Sequence, residues 1–511
     1  MPLLIKNAAA VISCDDADTV YEHVDLLVEG GQIRAIVPAG TDLAAATAGA
    51  ATAAAAAAAG LSAAIGRDAA AGRDAAASPA SATAAAAGAP SSSTTEPAAP
   101  LQVLDATGMA VYPGLINTHH HLYQTFSRNL PALQDLELFD WLRASYQIWR
   151  RLDAQVVYYS SLVGLGELLK YGCTTCADHH YVFPRGVEGI TEAQFEAAGR
   201  LGVRLHAARG SMDLSEKDGG LPPDSVVQAI DEILASSEAA VARFHDPSRF
   251  SMRQVFLAPC SPFSVSSELL RESATLARRL GVRLHTHLAE TRDEEAYTLE
   301  RFGQRPLDYL ADLGWLGDDV WFAHGIHFTR EELARLAAAG SGVAHCPISN
   351  MKLASGVCRL PELLEQGVPV GLAVDGSASN DGSDLLEELR VGYLLHRLHS
   401  SINRRLPKVP SGYEMLKVAT RGSACLLGRD DIGSLEAGKA ADMFLVNLNR
   451  IEFCGALADP AALLATVGLK AAADYVIVNG KIVVEEGRLA TLDEDRLVSE
   501  AAPVVRRYRA E

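Results

Sequence analysis

The sequence predicts an α/β fold: a (β/α)8 TIM-type barrel with a small β-sandwich domain built from both chain termini. Three observations predict it. Between about residues 108 and 433, eight apolar runs that each end in polar residues alternate with helical patterns, which is the rhythm of strand–helix repeats. Both chain ends read as β-hairpins. Histidines gather at the ends of the apolar runs, where a barrel of this kind keeps its active site.

The first element is the N-terminal hairpin. "VDLLVEGGQIRAIV" is two strands around Gly30-Gly31, a dipeptide that accepts the positive φ of a tight turn. Residues 43–100 then change character, from "AAATAGAATAAAAAAAG" to "SPASATAAAAGAPSSSTTEPAAP". Alanine favours helix, but no apolar period needs burial, and glycine, proline and serine interrupt the run. We expect a flexible surface insertion with no catalytic role. A long loop adds little closure entropy, so the fold can carry one.

The eight runs follow in order: "AVYPGLINTHHH", "CTTCADHHYV", "VRLHAARGS", "QVFLAPCSPF", "VRLHTHLAE", "VWFAHGIH", "GVAHCPISN" and "PVGLAVDGSASN". Helical patterns such as "SSLVGLGELLKYG" and "LLRESATLARRLG" separate them. A doubly wound open sheet would need a glycine-rich phosphate loop after its first strand, and the sequence has none there. Beyond the barrel, "YVIVNGKIVVEEG" turns at Asn479-Gly480, a second terminal hairpin. The expected division is 1–107 for the N-terminal part of the sandwich, 108–433 for the barrel and 434–511 for the C-terminal part.

Composition narrows the function. The 511 residues carry a net charge of −18, which repels phosphate backbones, so no nucleic-acid partner is expected. No stretch approaches membrane-spanning length with clean flanks, and the N-terminus lacks a basic region before a long apolar run. No membrane partner and a reducing, cytoplasmic setting are therefore expected. Of the eight cysteines only Cys173 and Cys176 have CxxC spacing. A zinc knuckle needs a second such pair, and "GCTTCADHHYV" reads as a buried strand, so packing is the expected role.

The chemistry lies at the run ends. Side chains alternate along a strand, so His119 and His121 share one face and His120 points to the other. His285 and His287 share a face in the same way. The sixth run gives His324, in "FAHGIH", and the apolar part of the eighth ends in Asp375, in "AVDGSASN". Any one of these could be a hydrogen-bonded core residue or a loop cap. Imidazoles and a carboxylate from four separate strands are harder to explain as packing, because each unpartnered polar group costs about 2–7 kcal/mol to bury. Converging at one mouth, they suit a borderline cation such as zinc. A two-metal site would need a bridging lysine or acid on the third or fourth run; these end "HAARGS" and "APCSPF", so one metal is expected. Glu290 follows His287 by three residues and can shuttle protons without binding the ion. Its other reading is a solvated carboxylate at a helix start.

These motifs resemble the amidohydrolase superfamily. "PGLINTHHH", "HTHLAE", "AHGIH" and "VDGSASN" match its strand-end motifs in order, and "GSLEAGKAADMFLV" resembles its C-terminal sheet domain. The likeness covers nearly the whole chain outside the alanine-rich insertion. Within the superfamily the pattern resembles the mononuclear deaminase branch, and "HHHLYQTFSRNLP", "GCTTCADHHYVFP" and "RGSMDLSEKDGGLPPDSVV" resemble most its members that act on 8-oxoguanine.

The resemblance implies that His119, His121, His287 and Asp375 bind one Zn2+ per chain, with Fe2+ fitting the same donors. It implies that His324 holds or deprotonates the attacking water, that Glu290 protonates the ring nitrogen, and that Asp375 passes the water's proton to the leaving amine. Gln124 and Arg209 are implied purine contacts. The implied reaction is hydrolytic deamination of a small-molecule aminopurine, 8-oxoguanine to urate and ammonia, by attack at C2. Guanine, isoxanthopterin or an aminotriazine are alternative substrates, and a non-catalytic barrel scaffold is the remaining alternative. A homo-oligomer is also implied.

Overall fold

The structure, a computed structural model, describes residues 2–42, 100–402 and 408–510. Apart from Pro100, the alanine-rich segment lies outside the described residues. Each of the eight runs contains a strand: β1 (Leu115–Asn117), β2 (Cys173–Asp178), β3 (Arg204–Ser211), β4 (Arg253–Pro259), β5 (Leu284–Leu288), β6 (Val320–His324), β7 (Gly342–His345) and β8 (Val370–Leu372). They form one parallel sheet in chain order. A helix follows each strand, among them Ala154–Lys170, Ile190–Leu201, Ile230–Phe244, Ser267–Leu280, Arg292–Phe302 and Leu385–Ile402.

The sheet closes just past the ends of β1 and β8. Asp375 pairs with His120 and Gly376 with His121 in a short parallel ladder. Thr118 N–H donates to Leu372 O at 3.1 Å and Asp375 N–H to His119 O at 3.2 Å. Asn117 Oδ1 accepts from Val374 N–H at 3.0 Å. The barrel seam is thus built from the residues that the sequence marks as chemical.

Alternation sorts the strand residues into two cores. The barrel interior holds Ala177, Ala208, Ala258, Ala344 and Ala373, whose small volume leaves room for Phe256 and Trp321. Leu205, Leu257, Leu284, Phe322 and Val343 point outward and pack under the helices. Above this layer the strand ends open into a mouth lined by polar side chains.

Both termini build a second, nine-stranded sheet. Its two halves meet where Met109–Pro113 runs antiparallel to Met443–Asn447, with Tyr112 opposite Phe444 and their rings stacked 5.3 Å apart. The first apolar run therefore crosses from this sheet into the barrel at Gly114. The sheet curls on itself: the turns at Gly30-Gly31 and Asn479-Gly480 belong to strands four spacings apart, about 19 Å if flat, yet they touch. A Cβ on Gly31 would lie 2.3 Å from Asn479 Oδ1, so that contact needs glycine. The chain ends in a helix, Glu494–Arg509, that the hairpin pattern did not announce. It packs on Ala154–Lys170 and on the 3-10 turn Leu122–Ser127. Among the described residues no helix is long and apolar enough to cross a membrane.

Candidate functional site

Three strand ends aim their side chains through left-handed backbone: Ala289 has φ 54°, His324 73° and Asp375 63°. Such conformations cost a non-glycine residue on the order of 1 kcal/mol or more and persist only where the surroundings impose them. At Ala289 the restraint is visible. The Glu294 carboxylate accepts from the N–H groups of Ala289 at 2.8 Å and Glu290 at 2.9 Å. Burial pushes the Glu294 carboxyl up to about 7.

The histidine tautomers follow from their acceptors. His121 Nδ1 donates to His179 O at 2.7 Å, and His287 Nδ1 donates to Cys260 O at 2.6 Å. A carbonyl can only accept, so in the neutral imidazoles both Nε2 atoms carry lone pairs. Those two lone pairs face each other at 3.1 Å, an arrangement that calls for a cation between them. His119 Nε2 and His121 Nε2 each lie 3.3 Å from Asp375 Oδ1. Bonds of about 2.0–2.2 Å around a tetrahedral ion put neighbouring donor atoms roughly 3.3–3.6 Å apart, close to the spacing found. The four side chains are all buried, and His119 Nε2 has no hydrogen-bond partner among the described residues. Ligand-competent atoms of His119, His287, His324 and Asp375 lie within 4.8 Å of one another, as do those of His119, His121, His179 and His287. The chemistry and spacing of the donors fit a divalent metal.

Electrostatics agree with that use. Burial holds His119 and His287 well below the ordinary imidazole range, hence neutral and able to ligate. Burial acts to raise Asp375, but contacts with His119 and His121 outweigh it and keep the carboxyl well below its usual value. The other oxygen of Asp375, Oδ2, accepts from Ser349 Oγ at 2.6 Å and Ser379 Oγ at 3.1 Å.

A cavity opens above these atoms, walled by Leu138, Trp141, Phe263 and Leu353. Its polar rim includes Glu290, His324 and Gln124. Burial, with the Asp375 and Glu294 charges added, drives Glu290 well above the usual carboxyl range, which favours its protonated form. Its Oε2 lies 3.5 Å from His324 Nε2, and Ser355 Oγ donates to its Oε1 at 3.4 Å. His324 Nδ1 pairs with the Asn350 amide at 3.0 Å. Gln124 sits on the Leu122–Ser127 turn with its amide over Gly376, where a Cβ would come within 1.9 Å of Oε1.

The structure thus brings His119, His121, His287, Asp375, His324, Glu290 and Gln124 together. It does not bring Arg209 to the cavity. On β3 the inward residues are Ala208 and Gly210, so Arg209 points to the helix side. Its guanidinium donates to Ser236 Oγ at 3.0 Å, Gln228 Oε1 at 2.8 Å and Gly210 O, and lies 3.9 Å over the Phe183 ring. His120 turns out of the barrel, with Nε2 3.1 Å from Ser383 Oγ. Its Nδ1 has no hydrogen-bond partner among the described residues. His179, Ser349, Ser379 and Asn350 were not singled out from the sequence. His179 is fully buried, stacks on His287 at 4.7 Å and donates to Ala258 O at 2.9 Å. The signal was there: "DHH" and "CPISN" are polar ends of the second and seventh runs.

Known proteins of similar sequence and structure point the same way. The profile of the amidohydrolase family matches residues 110–483. The chain is 49% identical to 8-oxoguanine deaminase of Pseudomonas aeruginosa over 77% of this chain and 86% of that protein. It is 45% identical to hydroxydechloroatrazine ethylaminohydrolase of Pseudomonas sp. (strain ADP) over 80% and 84%. Among solved structures, atrazine chlorohydrolase TrzN from Arthrobacter aurescens TC1 complexed with zinc superposes with a TM-score of 0.83 at 32% identity, covering 98% of this chain and 100% of that one.

Proposed function

This chain belongs to the amidohydrolase family, and we propose that it is a zinc-dependent aminohydrolase that converts 8-oxoguanine to urate and ammonia. The likeness to 8-oxoguanine deaminase over most of both chains carries the substrate. The cavity supports a flat heteroaromatic ring, with apolar walls for its faces and the Gln124 amide for its edge. His119, His121, His287 and Asp375 would hold one Zn2+; Fe2+ suits the same donors. When bound, the ion supplies an acidified water as nucleophile.

The protein's own groups supply the proton chemistry. Glu290 enters protonated and gives its proton to the ring nitrogen beside C2, so negative charge does not build on the ring as C2 is attacked. Asp375 takes the proton released by the water and delivers it to the amino group, which leaves C2 as ammonia while Glu290 takes back the proton of the new C2 hydroxyl as it becomes the carbonyl. His324 lies beside Glu290 and holds the water at the correct face. Ser349 and Ser379 keep the Asp375 carboxylate in place.

The test is an ultraviolet assay of purified protein on 8-oxoguanine, guanine, isoxanthopterin and an N-ethylamino-triazine, compared by kcat/KM, with metal counted per chain. We expect 8-oxoguanine to rank first and close to one ion per chain. Two ions would overturn the single-metal reading. A higher value on the triazine would favour the second reading, suggested by the likeness to hydroxydechloroatrazine ethylaminohydrolase, in which ethylamine leaves instead of ammonia. Release of no amine from any substrate would reduce the barrel to a scaffold.

A further inference from the structure

One histidine of the metal site differs from the others in its hydrogen-bond partner. His121, His287 and His179 each donate one ring N–H to a main-chain carbonyl, of His179, Cys260 and Ala258 respectively. No side-chain replacement removes those acceptors. His119 has no such carbonyl; its Nδ1 lies 2.7 Å from His285 Nε2. His285 Nδ1 is 2.8 Å from Trp321 O, which can only accept. A proton on Nδ1, fixed by that carbonyl, leaves the Nε2 of the His285 imidazole as a bare acceptor. The short contact then requires His119 to donate from Nδ1, which leaves the His119 lone pair on Nε2, facing Asp375.

We infer that His285 is a positioning residue that sets the tautomer of His119 and so makes it a metal ligand. The inference rests on the metal reading above. His285 lies outside both groups of ligand-competent atoms and does not line the cavity, so it acts through His119 alone. Trp321 locks the arrangement. Its ring stacks on His285 at 4.4 Å with an 18° interplanar angle, and its indole N–H donates to Thr118 O, the residue before His119, at 3.2 Å. A closed circuit results, from Trp321 O through His285, His119 and Thr118 back to the Trp321 indole. The His119 ring is held by its backbone on one side and by its Nδ1–H bond on the other.

The experiment uses the full chain stripped of metal and titrated with Zn2+ against a chromogenic chelator. His285→Phe keeps a ring but removes the acceptor; His285→Gln keeps an acceptor oxygen. The Phe variant is expected to bind zinc about 10–100-fold more weakly, the usual effect of losing a ligand's hydrogen-bond partner. The Gln variant should stay within about threefold of wild type. A folded Phe variant, checked by circular dichroism, that binds zinc as tightly as wild type overturns the inference. If the Phe variant does not fold, the Gln variant decides: affinity near wild type supports the role, and a loss of about tenfold or more overturns it. Wild-type protein that binds no zinc would instead remove the metal reading itself, a distinct failure.

Discussion

At the scale of single residues, alternation along one extended segment separates three adjacent histidines. His119 and His121 turn to the metal donors, and His120 turns to Ser383. His119→Asn should weaken zinc binding by more than the roughly 10–100-fold expected for an outer hydrogen-bond partner, whereas His120→Asn should keep its metal. Metal content after gel filtration distinguishes the two, and equal loss in both would contradict the assignment. At Glu290 burial and the neighbouring Asp375 and Glu294 carboxylates push the carboxyl well above its usual range. Glu290→Gln preserves shape but removes the transferable proton. Its kcat should fall by about 10²-fold or more while zinc content stays near wild type; turnover close to wild type would exclude Glu290 as the acid. Arg209 gives the opposite lesson. The alternation that sorted the histidines also turns Arg209 away from Ala208 and Gly210, whereas a resemblance between motifs carries no direction for a side chain.

At the scale of elements, several groups around the site come from short connections that follow strands. The helix Pro347–Lys352 brings Ser349 to Asp375 and Asn350 to His324. Asp178, at the end of β2, accepts from Leu122 N–H at 2.8 Å and from the Gln194 amide, so it starts the turn that carries Gln124. Burial pushes the Asp178 carboxyl up to about 7, against about 3.9 in an unfolded chain. The folded state thus holds this proton more tightly. The contribution is complete below about pH 4 and is lost as pH rises through 7, on the order of 4 kcal/mol in all. Asp178→Asn keeps an acceptor for Leu122 and does not titrate. Its urea midpoint, measured on metal-free protein, should fall less than that of wild type between pH 5 and pH 8; parallel slopes would show that Asp178 is not the group responsible.

At the scale of the whole molecule, the terminal domain reaches the site through the last helix. Arg509 Nε donates to Phe126 O at 2.8 Å, and Arg509 Nη2 donates to Arg128 O at 3.3 Å. These bonds hold the far end of the Leu122–Ser127 turn. Losing a charged hydrogen bond costs about 1.5–3 kcal/mol. Arg509→Ala should therefore raise KM by roughly tenfold or more while leaving zinc content unchanged. An unaltered KM would show that the turn holds its shape without the helix.

Sequence by itself determined the eight-strand rhythm, both terminal hairpins and the gathering of histidine and acid at strand ends. All of these are local: period-two alternation, turn residues and the contrast between apolar runs and their polar ends. Tertiary structure decided what depends on distances between strands. It placed the barrel seam at His120 and Asp375, turned His285 from a companion of His287 into the hydrogen-bond acceptor of His119, and drew Ser349, Asn350 and the C-terminal helix toward the site. No spacing along the chain encodes those contacts, because each pairs atoms brought together only when the parallel strands align and the barrel closes.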